Sequence, residues 1–177
     1  MINDFISMLA AGFLAVAIVY AANHAVRKVT GSRLPKWVMP AAAGLAMLGY
    51  TIYAEYDWYP KTRANLNEGV EVIMSAGESS WWRPWTYVAP ITTRFMAIDR
   101  NGLTHPGGSA TLVRGELLLV QRWAPVRAVP VAFDCLANAR ADLIDGTELD
   151  ATGALRGGDW LPLERDDAAL RVACNGG

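Results

Sequence analysis

Histidine and cysteine are scarce in this chain, with two of each among 177 residues, and charged side chains are nearly missing from its first third. Zinc normally draws three or four ligands from nitrogen, sulfur and carboxylate donors, which His24 and His105 do not gather around themselves. A Ser-His-Asp arrangement would have to recruit His105 with Ser109 or Ser75, and no nucleophile elbow presents either serine. Cys135 and Cys174 lack the CxxC spacing of a thiol oxidoreductase. No P-loop lysine follows Gly157-Gly158-Asp159, and the run from Asp145 to Asp150 lacks the length and terminal bidentate Glu of an EF-hand loop. A net charge of −1 provides no field that recruits nucleic acid. The expectation is a protein without catalytic residues, metal, cofactor or nucleic-acid partner.

What the first third does contain is hydrocarbon. Among residues 1–54 the charges are Asp4 and the four bases Arg27, Lys28, Arg33 and Lys36. Residues 5–26 carry none, and at ~1.5 Å per residue they cover the ~30 Å core of a bilayer. The bases follow this run rather than precede it, which argues against a cleaved signal peptide. A second uncharged run, from Trp37 to Ala54, reaches the minimum of about 17 residues for a span. It predicts a helix over 37–56 that Pro60 should stop, because proline cannot continue the hydrogen-bond ladder.

Loops rich in Lys and Arg stay on the cytoplasmic side. The connector 27–36 is therefore expected inside, and both termini outside, in the periplasm if the membrane is a bacterial inner membrane. Trp37 at one end of the second run, and Tyr53, Tyr56, Trp58 and Tyr59 at the other, read as an aromatic belt at the headgroups. Ala10, Ala11 and Ala15, with Ala42, Gly44, Ala46 and Gly49, would let two helices approach closely or dock to another membrane protein.

After a polar linker over 60–69, residues 70–177 read as a β-rich domain. Alternating or β-prone runs predict strands at 70–74, 91–99, 129–135 and 139–144, with turn residues from Ala76 to Ser80 closing the first. Leu112-Val113-Arg114 and Leu117 to Trp123 flank Gly115-Glu116, which fits either a tight hairpin or one long bent strand. Asp166 or Asp167 could cap a short helix running to Cys174. In an oxidising compartment Cys135 and Cys174 are expected to pair, adding about 2–4 kcal/mol by restricting the unfolded chain.

The most unusual stretch is Trp81-Trp82-Arg83-Pro84-Trp85-Thr86-Tyr87, with three indoles and a phenol in seven residues. Such rings can plug the domain core, dip into lipid headgroups, or form a docking patch with Arg83 lying on a ring face.

Phe133-Asp134-Cys135 entering a strand, Arg140 five residues on, a turn near Gly146, Trp160 before an acidic helix start, and Cys174 together form a pattern. It resembles bacterial surface-adhesin protein E-like domains. The resemblance implies an antiparallel sheet joined to a helix by a disulfide between the early Asp-Cys and the late cysteine. It also implies a secreted or surface protein that binds other proteins, although family members arrive by signal peptide or lipid anchor rather than by two helices.

These readings converge on an α+β protein: a two-helix transmembrane hairpin, then a small antiparallel sheet with a C-terminal helix and one disulfide. Its expected role is non-enzymatic, as an accessory or assembly subunit held in the bilayer beside a membrane-protein partner, with homo-oligomers compatible. The alternative is a stand-alone ligand-binding or sensing domain on a membrane anchor.

Overall fold

Helix α1 (Ile2–Thr30) is built from the charge-free run, prolonged by one turn through the bases Arg27 and Lys28. It stops where Gly31 turns left-handed, at φ +70, and donates to the Arg27 carbonyl at 3.1 Å. Only a residue without a Cβ takes that conformation cheaply. In this computed structural model, which describes residues 2–150 and 152–175, the chain divides into two units, Met1–Lys61 and Thr62–Gly177.

Within the first unit, helix α2 (Val38–Ala64) passes through Pro60 instead of ending there. The expected linker over 60–69 is thus helical in its first half. Pro60 removes one backbone donor, but it is exposed, and an ion pair between Asp57 and Lys61 one turn apart bridges it. Among the described residues α1 alone is long and apolar enough to cross a membrane. The apolar part of α2 leans on alanine and glycine, and Glu55, Asp57, Lys61 and Arg63 follow it.

The two helices touch at a small residue. Gly12 is the buried residue of α1, and a Cβ there would collide with the end of the Met47 side chain. Gly44 and Gly49, by contrast, have open space where a Cβ would stand, so they are not the points of close approach. Asn23 ties down the connector by accepting the Leu34 amide at 2.9 Å, while its neighbour His24 is exposed.

The second unit is an antiparallel meander. Strands β1 (Val70–Glu78), β2 (Ile91–Asp99), β3 (Leu112–Gln121), β4 (Arg127–Asp134) and β5 (Ala139–Asp142) lie side by side in sequence order. The two-residue strand β8 (Leu161–Pro162) closes the far edge, and β6 (Glu148–Leu149) and β7 (Leu155–Arg156) form a separate hairpin. One sequence expectation fails here: Ala76-Gly77-Glu78 extends β1 through a bulge rather than turning. Of the two readings left open around Gly115, the single long strand holds, with Gly115 inside an unbroken β3. Gly115 is there for space: the Leu103 side chain lies over it, 2.6 Å from where a Cβ would be.

Helix α3 (Ala168–Asn175) covers one face of this sheet. Asp167 starts it, accepting the amides of Ala169 at 2.9 Å and Leu170 at 3.1 Å, which satisfies donors that no helical carbonyl can reach. Ala169, Leu170, Val172 and Ala173 recur at helical spacing and pack on Ile98, Val113, Leu117, Val131 and Phe133. The Cys135–Cys174 disulfide, with Cα atoms 5.7 Å apart, fastens the helix to the end of β4. On the chain-entropy account a bridge across 39 residues stabilises by about 4 kcal/mol.

Candidate functional site

Two loops stand at one end of the sheet. Strand β1 ends at Glu78 opposite Ile91, the start of β2, and the Arg122 amide donates to Thr93 at 3.0 Å where β3 turns into β4. The β1–β2 loop and the β3–β4 turn therefore share an edge. This is the end of the sheet remote from Val70, where the chain enters the domain, because β1 runs its nine residues between them.

The β1–β2 loop is shaped by one buried hydroxyl. Thr86 is 1% exposed, and its Oγ1 accepts the Ser80 amide at 2.8 Å while donating to the Arg83 carbonyl at 2.7 Å. The Arg83 amide returns to the Ser80 carbonyl at 2.9 Å, closing a turn whose two central residues are Trp81 and Trp82. Pro84 then opens a 3-10 turn over Pro84–Tyr87, where its fixed φ and missing N–H are harmless. The fold thereby turns its polar threonine inward and its large rings outward: Trp81 is 83% exposed, Trp82 56%, Tyr87 65% and Val88 91%.

The Arg83 guanidinium carbon lies 3.9 Å from the Trp82 ring centre, a cation–π geometry. Trp85 is the exception among the rings. It is half-buried, and its indole N–H is shielded from solvent without a hydrogen-bond partner. The sequence left open whether these rings plug the core. Trp81, Trp82 and Tyr87 do not enter it, and Trp85 does so partly.

The β3–β4 turn adds two residues that the sequence pattern did not single out. Trp123 is 58% exposed and adopts φ +71, a left-handed conformation costly for a bulky side chain, and Arg122 lies 4.6 Å from the Trp123 ring centre. Val126, also exposed, follows it. The signal available was Trp123-Ala124-Pro125, a ring before a turn-forming proline, but nothing in sequence said that this turn would share an end with Trp81 and Trp82. Exposed rings on two loops at one end of the sheet, each loop with a guanidinium over an indole, have the composition enriched in protein interfaces, where Trp, Tyr and Arg recur.

The other sequence candidates fall elsewhere. Trp37, in the turn just before α2, and Tyr53 on α2 are exposed, whereas Tyr56, Trp58 and Tyr59 are half-buried. The bases Arg27 and Lys28 end α1, and Arg33 and Lys36 stand in the connector. His105 is exposed with Nδ1 3.3 Å from the Leu112 carbonyl, while Ser109 Oγ is engaged by Thr111 Oγ1 at 3.0 Å and by the amides that follow. They do not bond each other. Arg140 is half-buried, with Nε 3.0 Å from Asp142 Oδ1. No protein-family model, curated protein or solved structure matches this chain.

Proposed function

We propose that this is a non-enzymatic, membrane-anchored protein whose β-rich domain makes protein contacts outside the membrane, as an accessory or assembly subunit of an inner-membrane complex. The observation that carries the reading is the aromatic end of the sheet. Trp81, Trp82, Tyr87 and Trp123 stay exposed on loops that a buried threonine and a β-turn hold in shape. Exposed aromatic patches of this kind cost solvation unless something covers them, and preformed loops lose little entropy when it does. The resemblance of the tail to adhesin-type protein-binding domains points the same way.

Both helices belong to the anchor in this reading. Between Trp37 and the Tyr53 to Tyr59 cluster, α2 rises by about 25–30 Å, close to the ~30 Å hydrocarbon core, with aromatic rings at each end. The Met47 contact on Gly12 supports a hairpin. The bases of the connector keep it cytoplasmic, which leaves the disulfide-bearing domain in the oxidising periplasm.

Two measurements test this. A membrane-impermeant thiol reagent, applied to intact spheroplasts after reduction with an impermeant phosphine, should label Cys135 and Cys174; labelling only after lysis would reverse the orientation. Co-purification of the tagged chain from native membranes should yield a stoichiometric membrane complex, lost on Trp81→Ala with Trp82→Ala while the domain keeps its melting temperature. Recovery of the chain alone would sink the accessory-subunit reading.

A further inference from the structure

Helix α3 does not cover the whole of its face of the sheet. Residues directly opposite in an antiparallel pair share a face, so the register defines rows running across the strands. One row, Ile98, Leu117 and Val129, packs with the core that α3 closes. The next row toward the aromatic end is Met74, Met96, Leu119 and Arg127, and beyond it come Ala76, Arg94 and Gln121. These two rows line an open trough of about 510 Å³, bounded at one end by Ala124 and Pro125 of the β3–β4 turn.

The floor is apolar and adaptable, since two unbranched thioether chains can shift to fit a bound group. The rim is cationic. Arg127 is exposed and pairs with no carboxylate among the described residues, and Arg94 has only Glu78 at 3.8 Å. Among the described residues no acidic side chain lines the trough.

We infer that this trough is a binding site for a small organic anion with an apolar body, the body lying on Met74, Met96 and Leu119 and a carboxylate or similar group meeting Arg127 and Arg94. Its volume falls in the range of about 300–1,000 Å³ typical of small-molecule sites. Charge complementarity selects the anion: a neutral amphiphile leaves Arg127 without a carboxylate and Arg94 with only Glu78, and a cation is repelled by the two guanidiniums. A guanidinium fork holds a carboxylate with two parallel hydrogen bonds, which fixes which end of the ligand faces the rim. The site borders the β3–β4 turn but is lined by none of the exposed rings, and it does not depend on their having a protein partner.

The chain contains six methionines, and four of them, Met1, Met8, Met39 and Met47, lie at or within the anchor. Met74 and Met96 are the pair in the trough. Carbon-13 labelling of methionine methyls in the full chain, held in lipid nanodiscs and assigned by Met→Leu variants, therefore reads the trough and the anchor separately. Titration with 4-phenylbutyrate should shift the Met74 and Met96 signals along a saturating curve and leave Met8, Met39 and Met47 in place. The neutral isostere 4-phenylbutan-1-ol should bind at least about fivefold more weakly, as should 4-phenylbutyrate to Arg127→Gln, by loss of one charge-assisted contact. A ligand-free Arg127→Gln spectrum that matches the parent confirms an intact fold. Linear shifts at all labelled methyls, or equal affinity for acid and alcohol, would overturn the site as merely hydrophobic partitioning.

Discussion

The Thr86 hydroxyl accepts the Ser80 amide at 2.8 Å, and through that bond a side chain 1% exposed decides where two indoles point. Because the same oxygen donates to the Arg83 carbonyl at 2.7 Å, the loop has a polar centre and an apolar rim, the reverse of ordinary packing. Thr86→Val keeps the shape and deletes both bonds, leaving the Ser80 amide without its acceptor. It should lower domain stability by about 1–3 kcal/mol in denaturant unfolding followed by tryptophan fluorescence, with Thr86→Ser recovering most of it. Trp81→Ala should change stability by less than about 0.5 kcal/mol, since an exposed ring has little packing to lose.

Trp85 gives the complementary case. Its shielded N–H has no partner, so the polar atom opposes folding while the ring area favours it. Trp85→Phe should be tolerated better than Thr86→Val, with a melting temperature near that of the parent. A loss as large as that of Thr86→Val would mean that the indole N–H makes a bond through water.

Reduction of Cys135–Cys174 frees α3 from the end of β4. Replacing both cysteines with alanine should cost about 3–4 kcal/mol, and amides of residues 168–175 should exchange with solvent before those of β2 and β3. Uniform exchange across the sheet and α3 would show that the bridge holds the whole domain rather than its last element.

Asp150 makes the β6–β7 turn sensitive to acid. Its Oδ1 accepts the Thr152 hydroxyl at 2.5 Å and the amides of Thr152 at 2.9 Å and Ala154 at 3.0 Å, with Arg156 nearby. The Thr152 hydroxyl first, and then these amides, hold the carboxyl below its usual range. A folded pKa below the unfolded one contributes stability that is complete above the ordinary carboxylate range and lost as pH falls through the lower, folded value. Protection from hydrogen exchange at Thr152 and Ala154, relative to the intrinsic rate at each pH, should fall only below about pH 4, and Asp150→Asn should abolish that dependence.

Gly12 and Gly44 separate two roles that look alike in sequence. Gly12→Val drives a branched side chain into Met47 and should weaken the helix pair by about 1–3 kcal/mol, read as loss of resistance to unfolding in detergent. Gly44→Ala meets open space and should leave that resistance unchanged.

Local chemistry made much of this fold legible. Ile91–Asp99 alternates and ends in Asp-Arg-Asn-Gly, and the strand and its turn lie there, with Asp99 accepting the Asn101 amide at 2.9 Å. Asp167 precedes an apolar run at helical spacing, so the cap and the buried face of α3 followed. What could not be read were contacts made between distant segments. Gly115 left hairpin and strand undecided because the Leu103 side chain that needs its space comes from another loop. Ala76-Gly77-Glu78 looked like a turn because its partners in β2 had to be known before a bulge could be preferred. Met74, Met96 and Leu119 read as ordinary strand residues, since only the register and the end of α3 reveal that they lie uncovered. The tryptophans announced themselves by composition, but their exposure depended on Thr86, whose burial has no sequence signature.

Each strand from β1 to β5 pairs with the strand next to it in sequence, whereas α3 packs against β1, at the other end of the domain's sequence. The order of events on synthesis follows. The hairpins can assemble one after another as the chain emerges, with an oily face left open, and closing that face waits for α3. Until the helix lands and the thiols oxidise, the half-made sheet carries its apolar rows uncovered, the state of the domain most open to aggregation.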